Sequence, residues 1–173
     1  MKKTMLLSAI IICLFLIAQS KGSTQLKINA IDTIKLTEKD IPDGYMYGKV
    51  PAVYQSTLKD NPWMMDRAAI KRLADKVYPG GDAGKISGMY LSIIANKKKP
   101  FNDDIVCYVI LYNGMKAAQE EMKKINEFAG YNRDRVLVVN RENLVVLLFV
   151  DDITNFHYIQ ELASVIGDRM KNL

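Results

Sequence analysis

Histidine occurs once and cysteine twice in this 173-residue chain. That scarcity excludes a disulfide scaffold, which needs many more cysteines. It also argues against zinc, whose sites draw on sets of Cys and His. Glycine and proline, at 10 and 5 residues, are too few for a collagen-like or low-complexity chain. The net charge of +5 is small, so the balance carries no nucleic-acid signature. Beyond the N-terminus, no apolar run reaches membrane-spanning length. What is present, 49% hydrophobic and 25% charged residues, is a globular composition whose length suits one domain.

The N-terminus reads Met1-Lys2-Lys3-Thr4, then an uncharged stretch from Met5 to Ala18, then Ala18-Gln19-Ser20. Basic, apolar, small-x-small is the pattern of a secretory signal peptide. As a helix the apolar stretch is about 21 Å long at ~1.5 Å per residue, short of the ~30 Å bilayer core. We therefore expect a signal peptide over 1–20, a single α+β domain over 21–173, and a periplasmic or secreted location. Cys13 lies inside the apolar run behind Ile10-Ile11-Ile12, the wrong setting for lipid attachment, and leaves with the signal. Losing Lys2 and Lys3 lowers the net charge to +3 and leaves Cys107 alone, so no intrachain disulfide is expected. Neither a nucleic-acid partner nor a membrane span is expected of the mature chain.

Along that chain, Leu26 to Leu36 alternates loosely and reads as an edge strand, although Ile31 and Asp32 break the alternation. Ile41-Pro42-Asp43-Gly44 reads as a turn and Tyr45 to Val50 as a short strand. Pro62 suits a helix first turn, and Trp63, Asp66, Ile70, Leu73, Ala74 and Val77 recur at helical spacing, predicting a helix over 63–78. Pro79-Gly80-Gly81 stops it. Lys85 to Asn96 and Ile105 to Tyr112 follow as strands, the second apolar on both faces and so expected at the centre of its sheet. A helix opens at Asn113-Gly114 with Met115, Ala118, Met122 and Ile125 as its buried stripe. Glu120 and Lys124 are expected to pair at i,i+4 on its wet face. Arg135 to Asn140 and Leu144 to Val150 form a hairpin, and Asp151-Asp152 starts a last helix to about Met170. The order β-β-α-β-β-α-β-β-α predicts an α+β fold. Its antiparallel sheet has about five or six strands, with helices packed mainly on one face.

Few residues offer chemistry. His157 falls on the polar face of the last helix, next to Gln160 and Glu161, and reads as a surface residue. Cys107 has apolar flanks in a central strand and reads as a small core residue rather than a thiolate. Asp103-Asp104 and Asp151-Asp152 suit turns and helix caps, since adjacent carboxylates on an extended chain point to opposite faces. Pro79-Gly80-Gly81-Asp82-Ala83-Gly84 runs from helix to strand, the reverse of a phosphate-cradling loop, and reads as a connector. Lys97-Lys98-Lys99 reads as a solvated turn. The least ordinary feature is the crowding of Tyr45, Tyr47, Tyr54 and Trp63 into one 19-residue window. Tyr and Trp combine a flat apolar body with a polar tip, which suits sugar or peptide ligands. These four are the candidate ligand-binding residues, with packing over the sheet as the competing role.

The resulting expectation is a secreted or periplasmic, non-catalytic binding module that needs neither cofactor nor metal. Its partner is a protein, peptide or small molecule of unknown identity. The alternatives are a carboxylate-dependent extracytoplasmic hydrolase built on Asp103, Asp104, Asp151 and Asp152, or a structural envelope component. Whether those four acids converge discriminates between the first two.

Overall fold

Two strands that are apolar on both faces organise everything else. In the computed structural model, which describes residues 25–50, 52, 55, 56, 58–100 and 103–173, the chain runs in ten main elements. They are α1 (Asn29–Ile34), β1 (Tyr45–Tyr47), β2 (Trp63–Met64), α2 (Arg67–Val77), β3 (Ile86–Asn96), β4 (Ile105–Tyr112), α3 (Met115–Tyr131), β5 (Val136–Arg141), β6 (Leu144–Val150) and α4 (Phe156–Lys171). The signal-peptide segment and Tyr54 lie outside the described residues. The fold is α+β: a six-stranded antiparallel sheet in the order β1-β3-β4-β6-β5, with β2 also pairing β3.

The doubly apolar strands β4 and β6 sit at the centre, paired from Ile105↔Val150 to Leu111↔Leu144. Their alternating side chains feed two cores. Ile105, Cys107, Val109 and Leu111 join Ala30, Ile31 and Ile34 of α1 and Ile159, Leu162, Ile166 and Met170 of α4. Ile110, Tyr112, Val145 and Leu147 join Ile70, Leu73 and Val77 of α2 and Ala118 and Ile125 of α3 on the other side. The helices therefore cover both faces in pairs, and the expectation of helices mainly on one face is corrected. A strand with apolar residues on both sides has to be covered on both sides.

The segment expected to be the first strand is the helix α1. Ala30, Ile31 and Ile34 are its buried residues, one face of a helical turn rather than of a strand. The exposed Lys35 Nζ and Asp32 Oδ1 pair at 2.7 Å across the same turn. The helix can approach β3 because Gly88 has no side chain, and a Cβ there would lie 2.3 Å from Ile28 Cδ1. The helix expected over 63–78 starts later, at Arg67. Asp66 takes the N-cap position and accepts a hydrogen bond from the Ala69 N–H at 2.8 Å. That frees Trp63 and Met64 to extend and pair with Leu91 and Tyr90. Asp152 acts similarly at the last helix, capping a short 3-10 turn over Ile153–Asn155 before α4 begins at Phe156.

Candidate functional site

Among the described candidates, Tyr45, Tyr47 and Trp63 do not share a surface. Tyr45 is 5% exposed and packs edge-on against Tyr158, ring centroids 5.1 Å apart, in the α1/α4 core. Trp63 is 8% exposed and lies in the α2/α3 core on the opposite face of the sheet. Tyr47 is half-buried and its hydroxyl donates to the Leu36 carbonyl at 2.8 Å. Burial pushes both tyrosine hydroxyls above their ordinary titration range. Tyr47 borders an open hollow of about 570 Å³, together with Lys49, Lys59, Asp60 and Asn61.

The four acids lie at one end of the sheet, because β4 begins where β6 ends. The Asp151 N–H donates to the Asp104 carbonyl at 3.2 Å. Asp103 and Asp152 take different hydrogen bonds, although both lie near Lys99 and Tyr45. Asp152 accepts from the Thr154 N–H and hydroxyl at 2.9 and 2.8 Å, and these bonds hold its carboxyl below the usual range. Asp103 is buried, with Asn96 Nδ2 at 3.4 Å and Lys99 Nζ at 3.9 Å. His157 is exposed, its ring 4.0 Å from that of Tyr158 and its Nδ1 3.1 Å from the Thr154 carbonyl. Cys107 is fully buried in mid-strand opposite Ser92, and burial raises its thiol to about 12, far from a nucleophile's range.

Sequence reasoning missed a buried carboxylate. Glu121 of α3 is wholly inside the molecule and accepts four hydrogen bonds. They come from the Tyr78 hydroxyl at 2.9 Å, the Asp82 N–H at 3.2 Å, Lys85 Nζ at 3.0 Å and Lys124 Nζ at 2.8 Å. Tyr78 and Tyr112 hydroxyls meet at 2.8 Å behind it. Burial raises the Glu121 carboxyl, but the bonds from Lys124, Lys85, Tyr78 and Asp82 outweigh it and hold the group ionised. The i,i+4 pairing expected between Glu120 and Lys124 is replaced: Glu120 meets Lys85 at 3.0 Å, and Lys124 turns to Glu121 and the Gly80 carbonyl. The Pro79–Gly84 connector is thus pinned from α3. The signal was present, since Glu121 stands three residues from Ala118 and four from Ile125 within an apolar stripe.

The remaining backbone chemistry is at the sheet edges. On the outer edge of β3, Met46 pairs with Ala95 and Trp63 with Leu91. Between them Asn61 fills the gap with its side chain. Its Oδ1 accepts from the Ile93 N–H at 2.7 Å, and its Nδ2 donates to the Ile93 and Gly48 carbonyls at 2.7 and 2.6 Å. A side-chain amide carries the same donor and acceptor as a peptide group, so it stands in for a missing rung. Beyond Ala95, the Lys97 N–H donates to the Gly44 carbonyl at 2.9 Å.

Among the described residues, no strand pairs with the opposite edge. The Val150 N–H donates to the Arg135 carbonyl at 3.0 Å, which turns the odd-numbered residues of β5 toward β6. The N–H and C=O groups of Val136, Val138 and Asn140 therefore point away from the sheet. Asn132 takes the Val136 N–H at 2.8 Å, but those of Val138 and Asn140 have no partner among the described residues. The flanking side chains sort by face. Leu137 and Val139 pack on the α1/α4 core, and Arg141 on the same face donates to the Met170 carbonyl of α4. Alternation places Arg135 with them. No family model, curated protein or solved structure matches this chain.

Proposed function

We propose that the protein is a non-catalytic, extracytoplasmic interaction module that takes an extended segment of a partner polypeptide onto the free edge of β5. The observation that carries this reading is the outward, unpaired row of N–H and C=O groups at Val138 and Asn140. An open strand edge is a template for adding another strand. The rest of the molecule supports binding over hydrolysis: Cys107 is buried, His157 lies at the surface with its ring tilted against Tyr158, and Asp152 caps a turn. The Met1–Ser20 pattern supports export, and N-terminal sequencing of the fractionated native protein tests it, with a chain still starting at Met1 refuting cleavage. Among the described residues, no helix is long and apolar enough to cross a membrane.

The binding reading is tested by panning a library of short extended peptides against the wild-type chain and Val138→Pro. Proline removes the outward donor without touching the bonds to β6. Enrichment on the wild type and loss on the variant is the expected result. Equal enrichment on both would remove the edge from the function.

A further inference from the structure

The face of β5 that carries Leu137 and Val139 also carries a charge pattern. Arg135 precedes these two residues by alternation and Arg141 follows them, so the face reads Arg-apolar-apolar-Arg at positions 135, 137, 139 and 141. Arg135 is exposed, and among the described residues its guanidinium pairs with its neighbour Asp134, Nε to Oδ1 at 3.7 Å. Arg141 is anchored by one guanidinium nitrogen on the Met170 carbonyl, which leaves the fork's other donors for a second acceptor. The two cations thus stand at either end of a short apolar strip beside the open backbone edge.

Resting on the strand-addition reading, we propose that the occupant of the β5 edge is an acid-bracketed segment of a different protein. Two carboxylates would lie six residues apart with apolar residues at the two alternate positions between them. A strand laid along β5 puts every second side chain on the arginine face, whether it runs parallel or antiparallel. Its residues opposite Arg135 and Arg141 are then i and i+6, and those opposite Leu137 and Val139 are i+2 and i+4. Opposite charges directly across strands attract and like charges repel. The same rule disfavours a second copy of this chain. A two-fold pairing that overlaps the whole strand, centred on Val138, sets Arg135 against Arg141 of the second copy. In that register the arginine face opposes self-pairing.

The test uses the full chain and two synthetic peptides. One has glutamate at its first and seventh positions, valine at the third and fifth, and threonine between; the other has lysine in place of glutamate. Calorimetric titration should show the glutamate peptide binding about tenfold tighter than the lysine peptide, the sum of two exposed charge pairs turned from attraction to repulsion. The double variant Arg135→Glu/Arg141→Glu should reverse that preference. Val138→Pro, with Asn140→Pro as a second variant in case the first disturbs the fold, should lose both peptides. Equal binding of the two peptides, lost in both proline variants, would overturn the charge assignment and keep strand addition. Glutamate-peptide binding that survives in well-folded proline variants would overturn strand addition itself. Absence of binding to the wild type at millimolar peptide, or a wild-type dimer that Val138→Pro turns into a monomer by sedimentation, would overturn the acidic partner.

Discussion

Along the outer edge of β3, alternate backbone positions from Leu91 to Lys97 meet a partner, whereas along β5 the outward groups of Val138 and Asn140 meet none among the described residues. Both strands border the same sheet and both are apolar. The difference lies in what the chain spends to cover them. The closed edge uses two short strands, one asparagine side chain and the Gly44 carbonyl, drawn from residues 44–64. At the N-terminal end of the same strand, Glu121 holds Asp82 and Lys85 just before Ile86. Among the described residues, the β5 edge has only the Asn132 carbonyl on the Val136 N–H, a two-residue turn to β6 and arginines at its ends. A chain that seals one edge from four sources and leaves the other open separates a structural border from a docking border.

The largest expected effect tests the closed side. Trp63 is buried where β2 covers β3, so Trp63→Ala should cost about 3–5 kcal/mol in a denaturant melt, as buried Trp truncations do. An unchanged melt would mean that β2 is ornamental and that Trp63 belongs to a binding surface after all. Next comes the lock at the start of β3. Glu121→Gln should cost about 2–3 kcal/mol, less than a wholly buried pair because Lys85 and Lys124 reach solvent. Its titration has a definite sign. The Glu121 carboxyl is held below its ordinary value of 4.5, so its contribution is fully present above that value. The contribution is lost as pH falls through the lower folded value. The wild-type melt should thus drop on acidification below about pH 4.5, and Glu121→Gln should flatten that drop.

Asn61→Ala is the sharpest probe of the closed edge, because it deletes a rung and leaves both flanking strands in place. It orphans the Ile93 N–H and one bond to each of two carbonyls, for about 1–3 kcal/mol. The Ile93 amide should then exchange with solvent much faster than the amide of Ala95. Protection unchanged at Ile93 would show that another group fills the gap.

How far the sequence showed this contrast depends on the kind of signal. Ile105 to Tyr112 and Leu144 to Val150 declared a central, doubly covered position through residues apolar on both faces. The α+β class and the antiparallel sheet followed from the hairpins. The same observation, pressed one step further, would have placed helices on both faces. Leu26 to Leu36 misled because five isoleucines and leucines at mixed spacing fit two periods, and tertiary contact with Gly88 decided for the helix. Pro62 misled because Asp66, four residues on, is the stronger helix start. The aromatic window was a real composition bias, but Tyr45 and Trp63 stand opposite Asn96 and Leu91, β3 positions of opposite parity, so they enter different cores. Asn61 was illegible: an asparagine before a proline looks like any turn residue, and its role exists only relative to Ile93, 32 residues away. The bare edge was equally hidden, because which strand ends a sheet is a property of topology and not of the strand.

The smallest expected effect falls on β5 and is a pattern rather than a loss. In the free protein, amide exchange along this strand should alternate. Leu137 and Val139 face β6 and should be protected by the sheet's own stability. Val138 and Asn140 donate to solvent and should exchange close to unstructured rates, although they belong to the same strand. Val138→Pro should then cost no more than about 1 kcal/mol, since an edge proline gives up a donor that was unused. Val139→Pro should cost about 3 kcal/mol or more, because it breaks a bond to β6 and forces the ring into the ladder. Uniform protection from Leu137 to Asn140, or equal cost for the two prolines, would show that something already pairs with this edge. The two borders of the sheet would then be alike.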